Sequence, residues 1–487
     1  MYTSGATIAV YLPGGHSLRL KAGLWAAGLA VLLAAGCDNQ STGPDDDNGL
    51  PDKLGPYETF YDKETFQQRR DRLVSILPGD ALAVITTSDT YLRNGDIDYD
   101  FRPASNFFYL TGFEEPNAVA VIRKTSPEVN LSEFIMFVEQ RSGSLEQWLG
   151  PVVGPEGAVE YYYADSAYGI GNFVSYITAA LGTDEYASVY GNFAVNPSLA
   201  DSFYSSGAAI PPVFDLDAVV DTMRVVKTAI EISSIRKAVD VSVQAFTEGL
   251  EAIEPGMYEY EVEAIFGFVA GLNGCPRLAF PTIVASGPNI NTLHYDANVR
   301  EMLDGELVMI DFGAEYGYYA ADVTRTVPVN GKFSDKQAAV YQVVLDAHQA
   351  VIEAAAPGVS YYYLKDMARD MVIDGLLEKG IITGNKVDII ESQDYQSFIP
   401  AGLGHCVGLD VHDPFPRNAS GDKILRENMV LAIEPHIYLY EDDPQVNPDY
   451  HGIAARIEDD ILITADGCQV LSSALPSTIA GIEELME

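Results

Sequence analysis

Four apolar runs in this chain each hold an acid where a buried strand has no place for one. They read Glu-Leu-Val-Met-Ile-Asp-Phe-Gly at 306–313, Ala-Ala-Asp-Val-Thr-Arg-Thr at 320–326, Val-Leu-Ala-Ile-Glu-Pro-His-Ile-Tyr at 430–438 and Ile-Ala-Ala-Arg-Ile-Glu-Asp-Asp-Ile-Leu-Ile at 453–463. A lone ionised carboxylate on such a strand costs several kcal/mol. Asp311, Asp322, Glu434 and Glu458 therefore each require a partner. Between the second run and the third lies Gly-Leu-Gly-His-Cys-Val-Gly-Leu-Asp-Val-His at 402–412, glycine-rich and carrying two of the chain's seven histidines. One imidazole, His405, with four carboxylates is an oxygen-rich set suited to two divalent ions with bridging carboxylates, open positions for water and a hydrolytic chemistry. The competing partner is a base such as Arg325, in a salt bridge to Asp311 or Asp322.

At 487 residues the chain exceeds a single core and predicts two domains plus extra segments, and 47% apolar residues leave burial in good supply. Its 29 basic residues face 70 acidic ones, a net charge of −41 with pI near 4.3. With no excess of Lys and Arg to displace counterions from phosphate, nucleic acid is excluded as a partner. The acidity fits solubility in salty surroundings or repulsion between copies, and part of it belongs to the metal set.

Arg19 and Lys21 flank an apolar run at 22–35 that is too short to span as a mature helix and ends in small residues, the pattern of a secretion signal. The run closes on Leu33-Ala34-Ala35-Gly36-Cys37, which resembles a bacterial lipobox except that Leu is usual where Ala34 stands. The expectation is export to the periplasm or cell envelope, a signal peptide over 1–37, lipidation of Cys37 and membrane attachment through that lipid. Residues 38–55 have almost nothing to bury and predict a solvated tether. Three further cysteines, Cys275, Cys406 and Cys468, make no disulfide framework. Cys406 adjoins His405 but lacks a Cys/His/Asn arrangement, so it reads as packing.

An N-terminal α/β domain is expected over 56–220, with a helix at 63–77 and strands at 81–87, 118–123 and 133–138. No ligand cluster falls in it. Past residue 221, Thr228 and Glu231 form a capping box, and Ile232, Ile235, Val239, Val243, Phe246, Leu250 and Ile253 recur at helical spacing until Pro255-Gly256. A second helix to 272, a strand at 281–286 and His294 follow. The order recurs with a second capping box at Ser334 and Gln337, a helix at 363–379, the 402 stretch and two strands. These are two helix-pair-plus-strand halves of comparable length without a residue-level repeat. The catalytic domain, over 221–487, is therefore expected to be α+β. His348, on a helix with polar neighbours, and His451, in a loop, read as surface residues.

Asp311, Asp322, His405, Glu434 and Glu458, in these contexts, resemble the ligand set of the M24 metallopeptidases, whose catalytic domain has the pita-bread (creatinase/aminopeptidase-like) fold. Leu293-His294-Tyr295, the Asp-Val-Thr-Arg-Thr run, Gly-Leu-Asp-Val-His-Asp and Arg-Ile-Glu-Asp-Asp resemble the aminopeptidase P (Xaa-Pro aminopeptidase) branch. Tyr109-Leu110-Thr111-Gly112-Phe113 with Glu115-Pro116 is similar to that branch's N-terminal domain. The resemblance implies an exopeptidase that releases the first residue from peptides with proline second, two divalent ions of manganese type, and a homo-oligomer. It implies that Asp322 and Glu458 bridge the ions, Asp311 completes one, and His405 with Glu434 the other. A shared hydroxide would attack the carbonyl before proline, with Glu434 shuttling its proton. His294 and His412 would hydrogen-bond substrate and tetrahedral intermediate. Tyr438 and Arg456 would orient the carboxylates.

The chain departs from the family pattern at two places. The family often has His four positions before the ligand histidine, where this chain has Ala401, and Gly after Glu-Pro, where it has His436. His436 either brings an imidazole to the vacated space or is an unrelated exchange at a strand bulge. Two rival readings are a prolidase restricted to Xaa-Pro dipeptides and a pita-bread binding module without catalysis. The second is disfavoured because such modules lose ligands and all five are present.

Overall fold

The computed structural model describes residues 7–11, 17–21, 61–126, 129–183 and 185–487. Thr7–Tyr11 pairs antiparallel with Ser17–Lys21. The apolar run at 22–35, Cys37 and the tether at 38–55 lie outside the described residues. No helix among the described residues is long and apolar enough to cross a membrane.

The N-terminal part is built on a six-stranded mixed sheet in the order Val213–Asp215, Ser188–Gly191, Ala81–Thr86, Val119–Ser126, Val129–Val138, Ser166–Gly169. Its central strand Ala81–Thr86 is apolar without alternation and buried at every position. That is the signature of a strand covered on both faces. Helix Lys63–Ile76 packs on strand Val129–Val138 of the same sheet, started by Asp62, whose carboxylate accepts the Thr65 N–H at 2.8 Å.

Beyond residue 224 two helix pairs cover antiparallel sheets. Ala229–Ala252 and Glu259–Leu272 form the first pair, Asp335–Ala354 and Tyr361–Glu378 the second. Both capping boxes are present, at Thr228 with Glu231 and at Ser334 with Gln337. A three-stranded sheet runs Ile283–Ser286, Leu307–Phe312, Val323–Pro328. A four-stranded one runs Gly404–Cys406, Val430–Ile433, Asp459–Ile463, Cys468–Val470.

Three runs that read as single strands are each broken in two. Tyr319–Ala320 belongs to one small sheet and Val323–Pro328 to the three-stranded sheet. Val430–Ile433 belongs to the four-stranded sheet, whereas His436–Tyr438 pairs with Ala454–Arg456 apart from it. The last run re-enters the four-stranded sheet at Asp459. Asp322, Glu434 and Glu458 stand at these three breaks. Pro435 explains one of them, since a residue without an N–H cannot carry a ladder onward.

His348 is not a surface residue: it is 2% exposed, facing the inner side of its helix, with Nε2 3.3 Å from Asp459 Oδ2. Burial, opposed by Asp459 and reinforced by Arg325, pushes its pKa down to about 4. The unfolded chain binds this proton near pH 6.5 and the folded chain does not, so stability is whole above that pH and is lost as pH falls towards 4. The loss attributable to this ring is on the order of 3 kcal/mol. Melting temperature followed from pH 7 to pH 4 should fall less steeply in His348→Leu than in the parent. His451, by contrast, is partly exposed in a loop.

Candidate active site

Strand register brings the ligands together. Asp311 sits opposite Thr324 in the ladder, and Thr324 bridges to Glu458 in turn. Asp322, two residues before Thr324, shares its face by the two-residue period of extended chain. On the four-stranded sheet His405 lies opposite Ala432 and Ala432 opposite Asp460. Glu434 is two residues beyond Ala432. Gly404 makes this approach possible: its φ is +152° and a Cβ there would stand 2.0 Å from the Ala432 carbonyl oxygen.

Asp322, His405 and Glu458 each offer a ligand atom, all within 4.8 Å of one another. His405 Nε2 is 3.4 Å from Asp322 Oδ2 and 4.0 Å from Glu434 Oε1. Asp311 acts electrostatically on Asp322, Glu434 and Glu458, which places all five in one group. Side-chain exposure falls from 19% at His405 and 18% at Glu434 to 6% at Asp322 and 3% at Glu458. The cluster is thus a recess with a closed floor and one open side. His412 stands at the open side, its ring centroid 4.3 Å from that of His405, and His294 is near enough to act on both Glu434 and His412.

The donor set fits divalent cations. His405 Nδ1–H donates to the Cys406 carbonyl at 3.1 Å, which leaves Nε2 as the ring nitrogen that faces the carboxylates. Asp311 Oδ1 and Asp322 Oδ1 are buried without a hydrogen-bond partner. Burial first, then Asp311, Asp460 and Glu434, hold Asp322 well above the usual carboxylate range. Burial first, then Asp322, Glu434 and Asp311, do the same to Glu458. Arg456 offsets only part of this charge, through its contact with Asp311 Oδ2. Acceptors facing acceptors in a buried recess are satisfied by metal ions and by little else. Arg325, the competing partner, does not touch Asp311 or Asp322; its guanidinium is taken by Asp459 at 2.7 Å.

Several contributors carried no role in the sequence. Thr324 donates to Glu458 Oε2 at 2.7 Å and accepts from Arg456 Nε at 3.1 Å. Asp460, fully buried, accepts the Asp322 N–H at 2.9 Å, and burial pushes its pKa up to about 8. The Tyr361 hydroxyl donates to the Gly404 carbonyl at 2.7 Å. The run of three acids at 458–460 was the available signal, since three acids in succession on a buried strand each need a separate partner. Arg456 Nη1 also reaches the Tyr438 hydroxyl at 3.3 Å. The Cys406 thiol is fully buried and pushed up to about 12 by that burial, an inert packing group.

His436 is 2% exposed; its Nδ1–H donates to the Glu434 carbonyl at 2.9 Å and its Nε2 accepts the Ala401 N–H at 3.2 Å. The ring therefore ties the main chain of Glu434 to position 401. His436→Gly is expected to lower kcat about tenfold at saturating metal, the scale of lost outer-shell support. Unchanged kcat would reduce the ring to filler.

An antiparallel α+β core whose strand breaks converge four carboxylates and one imidazole on a recess defines a metal-dependent hydrolase. Residues 233–465 match the metallopeptidase family M24 and residues 66–190 match the aminopeptidase P N-terminal domain. The Xaa-Pro aminopeptidase of Haemophilus influenzae is 35% identical over 426 residues, covering 87% of this chain and 97% of that protein. That of Escherichia coli is 35% identical over 434 residues, covering 87% and 98%. Among solved structures, Pseudomonas aeruginosa aminopeptidase PepP superposes with TM-score 0.83 at 32% identity, covering 88% of this chain and 98% of that one. Zinc-substituted E. coli aminopeptidase P in complex with product gives TM-score 0.83 at 33% identity, with the same coverage. The chain belongs to metallopeptidase family M24, in its aminopeptidase P branch, with the pita-bread catalytic fold.

Proposed function

We propose that this metallopeptidase removes the first residue from peptides with proline at the second position, using two divalent ions, with manganese the metal in use. The convergence of Asp311, Asp322, His405, Glu434 and Glu458 on one recess carries the reading, together with the relatives' activity. Asp311, Asp322, His405, Glu434 and Glu458 would hold the ions. Bound there, the metals would supply Lewis acidity and a water of lowered pKa.

The remaining work belongs to the chain. Glu434, on the open side, takes the proton of the attacking water and passes it to the leaving proline nitrogen. His412 and His294, at the rim, donate to the substrate and to the oxygen that gains charge. Arg456 and Thr324 hold Asp311 and Glu458 in place, and Tyr438 braces Arg456. The test is a panel of peptides differing only at the second residue, assayed with and without manganese. Metal-dependent release of the first residue from Arg-Pro-Pro-type tripeptides, and not from their alanine counterparts, is expected. Cleavage confined to Xaa-Pro dipeptides would replace this reading with a prolidase.

The sequence Leu33-Ala34-Ala35-Gly36-Cys37 supports export to the cell envelope and attachment by a lipid on Cys37. Cys37→Ala should move the protein from the membrane fraction to the soluble one. A homo-oligomer is expected on sedimentation.

A further inference from the structure

His412 belongs to a turn that continues beyond the short strand Gly404–Cys406, and the two acids flanking it are held from outside the turn. Asp413, with its side chain 1% exposed, accepts Arg224 Nη2 on Oδ1 at 2.5 Å and Lys227 Nζ on Oδ2 at 2.8 Å. Asp410 accepts the same Arg224 Nη2 on Oδ2 at 2.7 Å and the Ser105 hydroxyl on Oδ1 at 2.6 Å. Arg224 Nη1 donates to Asn106 Oδ1 at 2.7 Å, and Asn106 Nδ2 donates to Asp217 and Asp221 at 2.8 and 3.0 Å. Arg102 Nη2 donates to the Leu409 carbonyl at 2.6 Å. Ser105 and Asn106 open helix Ser105–Thr111 in the N-terminal part, and Arg102 lies three residues before it. Arg224 ends helix Asp217–Arg224, at the junction with the catalytic part.

We propose that Arg224 is a positioning residue for His412. By sharing one Nη2 between Asp410 and Asp413 it fixes the turn that carries His412, so that the N-terminal part serves the catalytic centre it does not otherwise enter. The turn is closed on itself as well. Asp413 N–H donates to the Cys406 carbonyl at 2.8 Å, Asp410 N–H donates to Asp413 Oδ1 at 3.3 Å, and a Cβ on Gly408 would meet the Asp413 carboxylate at 2.5 Å. Moving the Asp413 carboxylate therefore moves the backbone on both sides of His412, whose ring packs edge-on against that of His405. Apolar packing would stabilise a buried junction as well as these ions do; the return on buried charge is a fixed geometry.

The inference rests on the role given to His412 above, and a double-mutant cycle on the metal-loaded full chain separates the two. kcat and KM for one Xaa-Pro tripeptide are measured for the parent, Arg224→Met, His412→Ala and the double variant. Arg224→Met is expected to lower kcat by about 10- to 100-fold, with KM changed much less and metal content unchanged. In the His412→Ala background the same substitution should cost less than about twofold, because the two act as one unit. Arg224→Lys should recover part of the loss. Equal losses in both backgrounds, or no loss in the parent, overturn the proposal. If His412→Ala itself retains full activity, the role of His412 falls first. Should Arg224→Met not fold, Ser105→Ala and Asn106→Ala, which trim the same network from the N-terminal side, carry the cycle, and their silence overturns the proposal equally.

Discussion

Asp322→Asn is expected to lower kcat/KM on the order of 10³-fold or more, the several kcal/mol that a metal site supplies to a hydrolytic transition state. Loss of activity alone would not separate a ligand from a structural residue, but stability measured with and without metal does. In the metal-free protein Asp322 is buried among Asp311, Asp460 and Glu434, so removing its charge relieves repulsion. With chelator present, Asp322→Asn should melt at or above the parent. With manganese at about one hundred times its dissociation constant the parent gains about 2.7 kcal/mol, and the variant gains little of it. A chelated variant that melts well below the parent would mean that Asp322 stabilises the fold directly, and the metal assignment would lose one of its two most buried ligands.

Arg325→Met is expected to cost about 3–5 kcal/mol of stability, because it leaves the Asp459 charge buried without its main partner. Arg325 is fully buried. Besides Asp459 it donates to the carbonyls of Thr324, Glu458, Leu475 and Pro476, at 2.9, 2.8, 3.2 and 3.0 Å. It thereby ties three segments together behind the recess. Chemical denaturation of the parent, Arg325→Met and Arg325→Met/Asp459→Asn measures the effect. The double variant should recover a substantial part of the loss, since the orphaned charge is gone. A single variant within about 1 kcal/mol of the parent would show that Asp459 finds compensation from Ser472, whose hydroxyl donates to Asp459 Oδ1 at 2.5 Å. Because Arg325 also holds the Glu458 carbonyl, metal affinity should weaken alongside stability.

Arg325 and Arg456 mark how far a sequence can be read. The helix starts were legible: the capping boxes at Thr228 and Ser334 are local chemistry, satisfied within four residues of chain. The core face of helix Ala229–Ala252 was legible too, since its spacing reports burial, and Ile235, Val239, Phe246 and Leu250 are all buried. An isolated acid in an apolar run announces that it has a partner, but not which one. Asp311 finds Arg456, 145 residues away, and Asp459 finds Arg325, 134 away. The burial of His348 was hidden for the same reason, because its helix presents polar neighbours in sequence while Asp459 and Arg325 meet it from two other strands.

The sequence by itself determined which side chains this protein brings to its recess, because each buried acid and the glycine-flanked His405 violate the apolar patterning around them and so declare a function. Tertiary structure alone decided how they meet. Asp322, Glu434 and Glu458 stand where a continuous apolar run leaves one sheet for another, a change that periodicity cannot register because burial persists on both sides of the bend. It likewise decided that Asp410 is held by Ser105 of the N-terminal part and that Asp410 and Asp413 share Arg224 at the junction, since charges choose partners through space and not along the chain.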